Sequence, residues 1–477
     1  MKAEPPIPAE LWDQIPPAAQ AAVLALLRTA EQHLAQLQQQ VDDLKHRLDQ
    51  NSTNSSKPPS TDAPTVKRSP PKSPSGRKRG GQPGRAPHKR SPLPPDRTLV
   101  VKPAACRRCG HALVGADPAP LRHQVLELPP VRPDVTEYQL HRLPCPRCGT
   151  STCGVLPTGA PLSQVGPRLQ AVLALLTGAY RLSKRQAEEL CGDLFGLPLS
   201  AGRICAAEQQ TAAALDPVVA ELTEYLRTQP ANVDETSWRQ QRQKAWLWVA
   251  VTRWVTVFQV ASSRAAAVVQ GLLGAVYHHV LTSDRFSAYH WMPLRRRQVC
   301  WAHLIRDFQA MVDRAGAGAA VGEKLLCFAQ DVFTWWYRVR DGTPAPLSRA
   351  TFRKYIAELR PHVRAALAEG AACACARTAG TCREILKVEP ALWTFARAAG
   401  VEPTNNAAER ALRHAVLWRK SSYGTDSAAG GHFVSNILSV VATCRQQGRN
   451  VLEYLTACCA ATLRGLTPPS LLPQGTD

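Results

Sequence analysis

The chain lacks any long uninterrupted run of apolar residues. Its longest apolar stretch, residues 169–180, is interrupted by Gly178 and falls short of the roughly 18 to 20 residues that a membrane-spanning helix needs. The first 20 residues also lack a basic region followed by an apolar core, the pattern of a secretory signal. We therefore expect neither an integral membrane protein nor a secreted one.

Acidic residues are scarce relative to basic ones. The 477 residues include 58 Lys and Arg against 37 Asp and Glu, a formal net charge of +21. Such an excess indicates a polyanionic partner, either nucleic acid or an anionic membrane surface. At roughly 100 to 200 residues per domain, the length predicts two to four folded units rather than one.

Paired cysteines are also few, since only four of the 15 cysteines fall in Cys-x-x-Cys spacing. They form two Cys-x-x-Cys-Gly knuckles, Cys106 with Cys109 and Cys145 with Cys148. The two-residue spacer lets one tight turn present two thiolates, and four soft ligands suit tetrahedral zinc in a reducing compartment. We predict a structural zinc site in a zinc-ribbon-like module at residues 96–157, with short strands at residues 124–128 and 135–143.

The N-terminal segment, residues 17–50, shows a heptad pattern. Apolar side chains recur at every seventh residue and three positions further on, at Leu27, Leu34, Val41 and Leu48 and at Ala30, Leu37 and Leu44. The stripe is narrow, so it predicts a coiled-coil oligomerisation helix and a homo-oligomer. The alternative is a single helix lying on the body of the protein. The pattern does not distinguish a dimer from a trimer.

Residues 51–95 have no aromatic and few aliphatic side chains, which predicts a disordered linker. Between residues 57 and 95 ten basic residues face a single acid, Asp62. A glycine-hinged segment can lie in a narrow minor groove, so we expect DNA contacts from Arg77, Lys78, Arg79 and Arg85. The alternative is a linker that is merely solvated.

Residues 160–230 are expected to form a helical DNA-binding domain. A helix at residues 183–195 is followed by Gly196 and Pro198, and Ser200 can cap a second helix from residue 201. This order is typical of a helix-turn-helix, in which Arg203 would enter a major groove. Ordinary packing in a helical bundle gives the same pattern.

Two acidic residues lie where a sheet would bring them together. Strands predicted at residues 231–238, 245–251 and 255–260, then a helix and a strand ending at Ser283, follow the opening order of a ribonuclease-H-like fold. Asp234 on the first strand and Asp284 after the fourth would be neighbours. Adjacent carboxylates repel unless a cation lies between them, so the pair predicts two Mg²⁺ or Mn²⁺ ions.

A third carboxylate is needed, and Glu409 is the best candidate. Asn405 and Asn406 are good N-cap residues, so Glu409 is expected in the first turn of a helix. Asp307 and Glu402 are rivals. Glu235 should point to the opposite face of its strand and be solvated or ion-paired.

Two other pairs of residues have open roles. Cys300 and His303 have zinc-ligand spacing but close no site alone, so a structural or DNA-positioning role is favoured. Trp335 and Trp336 are expected in a helical core more than stacked on a flipped base.

Several motifs resemble one known family. They are Asp-Glu-Thr after a strand, Ser-Asp-Arg-Phe-Ser-Ala-Tyr, Cys-Trp-Ala-His, Asn-Asn-Ala-Ala-Glu-Arg-Ala-Leu-Arg and Arg-Lys-Ser, the last beginning at Arg419. In this order, with the coiled coil, linker and zinc knuckles, they are similar to transposases of the insertion sequence 66 family over nearly the whole chain. The resemblance implies a DDE DNA transposase whose triad is Asp234, Asp284 and Glu409.

The resemblance also implies an architecture and partners. The chain would be an α+β multidomain protein with a catalytic domain at residues 231–440, a helical insertion at 308–400 and a C-terminal helical segment at 441–477. Double-stranded DNA, as element ends and as target, would be the partner, with contacts from Arg419 and Lys420. Accessory proteins of the same element and a bacterial cytoplasmic, nucleoid-associated location are expected.

Three other functions remain open on the sequence. A ribonuclease-H-like nuclease or resolvase would keep the carboxylates but cut without joining. A zinc-containing DNA-binding regulator would use the knuckles and the helix pair without needing adjacent acids. A structural DNA-binding protein would share the charge and have no activity.

Overall fold

The described part of the chain has a mixed α and β architecture. The computed structural model describes residues 8–55, 62, 91–161, 163–343 and 345–473. The chain divides into two compact units, residues 1–68 with 158–181 and 206–477, and residues 69–157 with 182–205. The expected DNA contacts at Arg77, Lys78, Arg79 and Arg85 lie outside the described residues.

The N-terminal region is helical, as the heptad pattern predicts. Helix α1 spans Ala9–Trp12 and helix α2 spans Pro17–Asp49. Proline suits the first position of α2, because its missing N–H would have no partner within the helix. Leu34 and Leu48 on the predicted seam are 66% and 83% exposed. The helix is confirmed, and its association with a second copy stays a prediction.

The segment with the cysteine pairs has little regular structure. Strand β1 (Arg142–Pro144) pairs antiparallel with strand β2 (Ser151–Cys153). The strand predicted at residues 124–128 is wrong, and the one predicted at 135–143 survives only where it overlaps β1. Val125 and Val135 are 79% and 80% exposed. The apolar residues there have no layer to pack against, and the intervening prolines cannot donate to a strand ladder.

Three helices precede the sheet: α3 (Pro167–Ala174), α4 (Lys184–Phe195) and α5 (Ala201–Arg227). The predicted bounds of the two helices α4 and α5 are confirmed, and their interpretation as a DNA-binding helix-turn-helix stays a prediction. Ser183 and Gln186 form a reciprocal capping box at the start of α4, and Gly196 ends that helix at a φ of 64°. The Ser200 hydroxyl oxygen accepts from the Arg203 N–H at 3.3 Å.

Five strands form one mixed sheet in the order β5-β4-β3-β6-β7. The predicted antiparallel meander is confirmed as β3 (Ala231–Gln240), β4 (Gln243–Val251) and β5 (Thr256–Ala261). Helix α6 (Ala266–Leu273) then leads to β6 (Leu281–Ser283), which runs parallel to β3, and β7 (Arg297–Val299) runs parallel to β6. Strands β3 and β6 are therefore neighbours near the middle of the sheet.

Five helices follow β7 along the chain: α7 (Trp301–Asp313), α8 (Ala319–Arg340), α9 (Arg349–Ala371), α10 (Ala376–Lys387) and α11 (Thr394–Arg397). These helices have their own apolar core. Trp336 is 6% exposed and packs against Phe352 and Phe395, so its expected place in a helical core is confirmed. Trp335 packs against Tyr355.

Three helices complete the chain: α12 (Asn406–Ser422), α13 (Ala428–Gln446) and α14 (Val451–Leu463). Helix α13 covers the outer edge of β5 with hydroxyl groups. The N–H groups of Thr256, Phe258 and Val260 donate to the side-chain oxygens of Thr443, Ser439 and Ser435 at 3.1, 2.7 and 3.0 Å. The donors are two residues apart on the strand, an advance of about 6.7 Å, and the hydroxyl acceptors are four residues apart on the helix, an advance of about 6 Å. The two spacings are similar, so successive hydroxyls meet successive N–H groups.

Among the helices of the described ranges, none is long and apolar enough to cross a membrane.

Candidate active site

Asp234 and Asp284 occupy neighbouring positions on the two central strands. The parallel register pairs Ala231 with Leu281 and Asn232 with Thr282, a constant offset of 281 − 231 = 50 residues. Continuing that offset by two residues brings Asp284, the residue directly after β6, beside Asp234 on β3. The topology therefore unites two carboxylates that are far apart along the chain.

Asp234 lies in an unfavourable electrostatic environment for a carboxylate. Burial raises the pKa of Asp234 well above its usual range, and the charges of Glu235, Asp284 and Glu409 raise it further. Its Oδ1 accepts from the Glu235 N–H at 2.9 Å. Within the described part of the chain, neither Asp234 nor Asp284 forms an ion pair. Carboxylates so arranged fit a divalent cation, because oxygen ligands without a neutralising partner are what Mg²⁺ and Mn²⁺ prefer.

Helix α12 brings Glu409 towards these two aspartates. Glu409 lies in the first turn of the helix, as predicted. Asn405 is the N-cap residue of α12, as predicted, but its side chain makes no capping hydrogen bond. Instead the Asn405 Nδ2 donates to the Val233 carbonyl oxygen at 2.9 Å, which joins the start of α12 to the strand one residue before Asp234.

Helix α7 surrounds Glu409 with groups whose position sequence reasoning did not predict. Glu409 Oε1 lies 3.6 Å from His303 Nδ1 and 3.4 Å from an Arg306 guanidinium nitrogen. Ligand atoms of Cys300, His303 and Glu409 all lie within 4.8 Å of one another, a group that does not include Asp234 or Asp284. Spacing of three residues puts Cys300, His303 and Arg306 on one helical face, but the sequence does not reveal what that face meets.

Burial governs the chemistry of the two α7 side chains. It lowers the pKa of His303, and the nearby Arg306 lowers it further. Burial raises the pKa of the Cys300 thiol to about 12, and the Cys300 sulfur accepts from the Asn405 N–H at 3.1 Å. Cys300 thus joins the start of α7 to the start of α12, and His303 lies beside Glu409 with its charged form disfavoured by burial.

Glu235 points to the other face of β3 and is ion-paired, one of the two environments predicted for it. Its side chain is 1% exposed. Its Oε1 accepts from Arg264 Nε at 2.7 Å and its Oε2 accepts from the Tyr289 hydroxyl at 2.6 Å. Arg264 also stacks over Phe286, 3.7 Å from the ring centroid. Glu235 therefore stabilises the strand that carries Asp234.

The rival third carboxylates lie in other surroundings. Asp307 forms an ion pair with Arg285 at 2.5 Å, so its charge already has a partner. Glu402 is partly buried in the segment before α12. Glu409 is among the charges that raise the pKa of Asp234.

The two cysteine knuckles have matching turns. The Gly110 N–H donates to the Cys106 carbonyl oxygen and the Gly149 N–H to that of Cys145, both at 2.9 Å, and both glycines have a φ of 74°. Hydrogen bonds from Cys109 and Arg108 lower the pKa of Cys106, and hydrogen bonds from Thr150 and Cys145 lower that of Cys148. The two thiols within each knuckle are hydrogen-bonded to each other. The sulfurs of the two knuckles do not form one group of ligand atoms within 4.8 Å of one another.

The predicted DNA-binding residues of the described ranges lie on helix ends. Arg203 is in the first turn of α5 and partly buried. Arg419 and Lys420 are in the last turn of α12, where an Arg419 guanidinium nitrogen donates to Thr236 Oγ1 at 3.0 Å.

Family models match three segments of the chain. The model described as "Transposase IS66 family" matches residues 163–433, more than half of the 477 residues. The "zinc-finger binding domain of transposase IS66" matches residues 103–149, which contain all four knuckle cysteines. A family of unknown function matches residues 9–91.

One curated relative is an uncharacterized protein, y4qI, of Sinorhizobium fredii. It is 25% identical to this chain over 250 residues. The match covers 46% of this chain and 44% of the relative, so the chain spans less than half of the length of the protein it matches.

Proposed function

Because the chain belongs to the IS66 family of transposases, we propose that it binds the ends of an insertion sequence and catalyses metal-dependent DNA cleavage and strand transfer. The family implies DNA transposition, DNA binding and phosphoryl transfer with a divalent metal. The observation that carries the proposal to individual residues is the parallel register of β3 and β6, which brings Asp284 beside Asp234, together with the hydrogen bond from Asn405 that fixes the helix with Glu409 to β3. Asp234, Asp284 and Glu409 are the proposed catalytic triad.

The catalytic core is proposed to be ribonuclease-H-like, with bounds near residues 231 and 440 and a helical insertion at 308–400. Support comes from the sheet order β5-β4-β3-β6-β7, in which an antiparallel meander is followed by two parallel strands. In this arrangement the first acid lies on β3 and the second directly follows β6. The insertion separates these strands from the helix with Glu409.

The mechanism follows from the ligand set. Asp234, Asp284 and Glu409 would hold two Mg²⁺ or Mn²⁺ ions, which when bound supply Lewis-acid activation of water and of the phosphodiester. Arg306, whose guanidinium donates to Glu409 at 3.4 Å, would orient that carboxylate, and Asn405 fixes its helix to β3. Water breaks the phosphodiester at the element end and frees a 3′-hydroxyl. That hydroxyl then forms a new bond to a target phosphate as a target 3′-oxygen leaves.

The other segments would serve DNA binding and assembly. We assign Cys106, Cys109, Cys145 and Cys148 to one structural zinc ion in the module at residues 96–157, and Arg203 of the helix pair to base reading. The linker at residues 51–95 would contact phosphates. The helix at residues 17–50 would join copies of the chain, and residues 441–477 would close the catalytic domain. Accessory proteins of the same element are a further proposed partner.

A strand-transfer assay tests this function. Purified protein is incubated with Mg²⁺, a supercoiled target plasmid and a labelled duplex carrying the inverted repeat that flanks the gene. We expect labelled DNA joined to the plasmid. Cleavage of the duplex without joining would identify a nuclease or resolvase instead, and binding without cleavage would identify a DNA-binding regulator or structural protein.

A further inference from the structure

A groove lined by cations lies at the far end of strand β3 from Asp234. This hairpin groove has a volume of about 820 Å³ and is lined by the tip of the β3–β4 hairpin and the end of α12. Its polar lining includes Arg239, Arg242, Lys244, Arg419, Lys420 and Tyr423, and none of the described residues that line it is a carboxylate. Its chemistry therefore suits a polyanion.

The two walls of the groove are joined by backbone hydrogen bonds. The Gln241 N–H donates to the Thr425 carbonyl oxygen and the Thr425 N–H donates to the Arg239 carbonyl oxygen, both at 2.9 Å. A Cβ on Gly424 would lie 2.2 Å from the Arg239 oxygen, so only glycine permits this approach. The hairpin and the end of α12 are consequently held as one unit.

The β3–β4 hairpin ends in a tight turn that carries a cation. Gln240 pairs with Gln243, which leaves a two-residue turn of Gln241 and Arg242. Both turn residues have positive φ, 52° and 63°, the geometry of a tight hairpin turn. A positive φ is uncommon for arginine, and Arg242 at this position places a cation at the tip of the hairpin.

No carboxylate of the described residues neutralises the charges of the groove, although Arg419 donates hydrogen bonds to β3 and Lys244 lies over the Trp246 ring. Arg239, Arg242, Lys244 and Lys420 are exposed. Throughout the described ranges, none of the five groove cations forms an ion pair. Tyr423 is 77% exposed and has a φ of 60°, so a large aromatic ring faces solvent at the rim. Clustered cations beside an exposed ring match the phosphate and base of a nucleic-acid strand.

We propose that the hairpin groove binds the backbone of the DNA strand that is cleaved at the triad, about five base pairs from the scissile phosphate. The proposal rests on the proposed function. Five residues of β3 separate Asp234 from Arg239, which is about 17 Å at roughly 3.3 Å per residue. B-form DNA advances about 3.4 Å per base pair, so this span corresponds to about five base pairs.

Methylphosphonate scanning of the DNA tests the position of this contact. A series of inverted-repeat duplexes carries one uncharged methylphosphonate at each successive position of the cleaved strand. Binding is measured with the Asp234→Asn protein, which keeps the duplex intact, and with the same protein carrying Arg239→Gln, Arg242→Gln and Lys244→Gln. Arg419 is left unchanged because it binds β3. The matched control carries Lys354→Gln, Arg364→Gln and Arg383→Gln, three exposed cations of the insertion.

With the groove intact, we expect binding to weaken severalfold when the uncharged phosphate lies about five positions from the scissile one. In the groove variant, an uncharged phosphate at that position should not weaken DNA binding any further. The slope of log K against log salt should also fall by about 2.7, at roughly 0.9 per lost phosphate contact. The control triple should keep both the scanning profile and the slope.

An identical scanning profile in the groove variant and the control would overturn the groove assignment, even if the wild-type protein cleaves and joins DNA. Competition by inorganic tripolyphosphate as strong as that by duplex DNA would also overturn it, since the groove would then be a general anion site. A wild-type protein that neither binds nor cleaves the duplex would contradict the proposed function itself. Circular dichroism melts establish that each triple variant is folded.

Discussion

Consecutive residues Asp234 and Glu235 show how one strand gives two carboxylates opposite environments. Because successive side chains of a strand point to opposite faces, Asp234 on β3 points towards α12, whereas Glu235 points towards Tyr289 and Arg264. This alternation could be predicted from the sequence, which left a solvated and an ion-paired state open for Glu235, and the structure has the ion-paired one. Its partners could not be predicted, because Tyr289 is 54 residues away and reaches Glu235 only through the sheet.

The Tyr289 hydroxyl provides a test at the scale of one atom. Tyr289→Phe removes a buried donor from the Glu235 carboxylate and should lower the free energy of unfolding by about 2 kcal/mol, since the acceptor is charged. Tyr454→Phe is the control, because its hydroxyl donates at 2.6 Å to the neutral Pro469 carbonyl. For Tyr454→Phe the free energy of unfolding should fall by about 1 kcal/mol. Urea unfolding measures both, and a smaller loss for Tyr289→Phe than for Tyr454→Phe would argue against a charged acceptor.

Single elements differ in how far their sequence determines them. The β3–β5 meander and the helix pair α4–α5 were predictable, because alternation, Ser183 and Gly196 act locally. The strands expected near Val125 and Val135 fail because apolar alternation forms a strand only where another layer covers it. The hydroxyl row of α13 was missed, since serines four residues apart on a helix do not indicate that an edge strand lies beside them.

The contact between α13 and β5 can be tested through Ser439. Ser439→Ala leaves the buried N–H of Phe258 without its acceptor and should cost about 1 to 3 kcal/mol of stability. Ser421→Ala, at the exposed end of α12, removes a hydroxyl that donates to the Trp418 carbonyl oxygen of the same helix and should change stability by less than about 0.5 kcal/mol. Thermal unfolding compares them. Equal melting temperatures for the two variants would mean that the hydroxyl row does not stabilise the edge.

The cysteine knuckles make a prediction about metal content. Cys145→Ser removes one of the four proposed thiolate ligands, so the purified variant should lose its zinc. Cys153→Ser is the matched control, because Cys153 lies on β2 outside the paired spacing. Elemental analysis of both proteins gives the zinc content per chain. Zinc retained at the wild-type level in Cys145→Ser would remove Cys145 from the ligand set.

At the scale of the whole molecule, the order of the segments was largely predictable and their contacts were not. The heptad helix, the cysteine pairs, the helix pair and the sheet follow one another as the sequence patterns indicate. The approach of Cys300, His303 and Arg306 to Glu409 could not be predicted, because it depends on how the inserted helices return the chain to the sheet. Asp234, Asp284 and Glu409 could be proposed because Asp234 lies on the first predicted strand, Asp284 directly follows the fourth, and Glu409 falls in the first turn of a helix.

The exposed seam of α2 predicts self-association of the whole chain. Leu27→Lys combined with Leu34→Lys places charges at two a positions and should lower the mass measured by sedimentation equilibrium. Gln36→Lys is the control, since it adds charge to the same helix outside the seam and should leave the mass unchanged. If the Leu27/Leu34 variant keeps the wild-type mass, assembly does not depend on this helix.

The most direct measurement is the rate of Mg²⁺-dependent cleavage of the element end by five single variants. Asp234→Asn, Asp284→Asn and Glu409→Gln each remove a proposed metal ligand with little change in volume, and should slow cleavage by roughly a thousandfold or more while DNA binding stays near wild type. Asp307→Asn and Glu402→Gln remove the rival carboxylates and should retain cleavage within about tenfold of wild type. Wild-type cleavage by any of the first three, or loss of cleavage confined to Asp307→Asn or Glu402→Gln, would contradict the proposed triad.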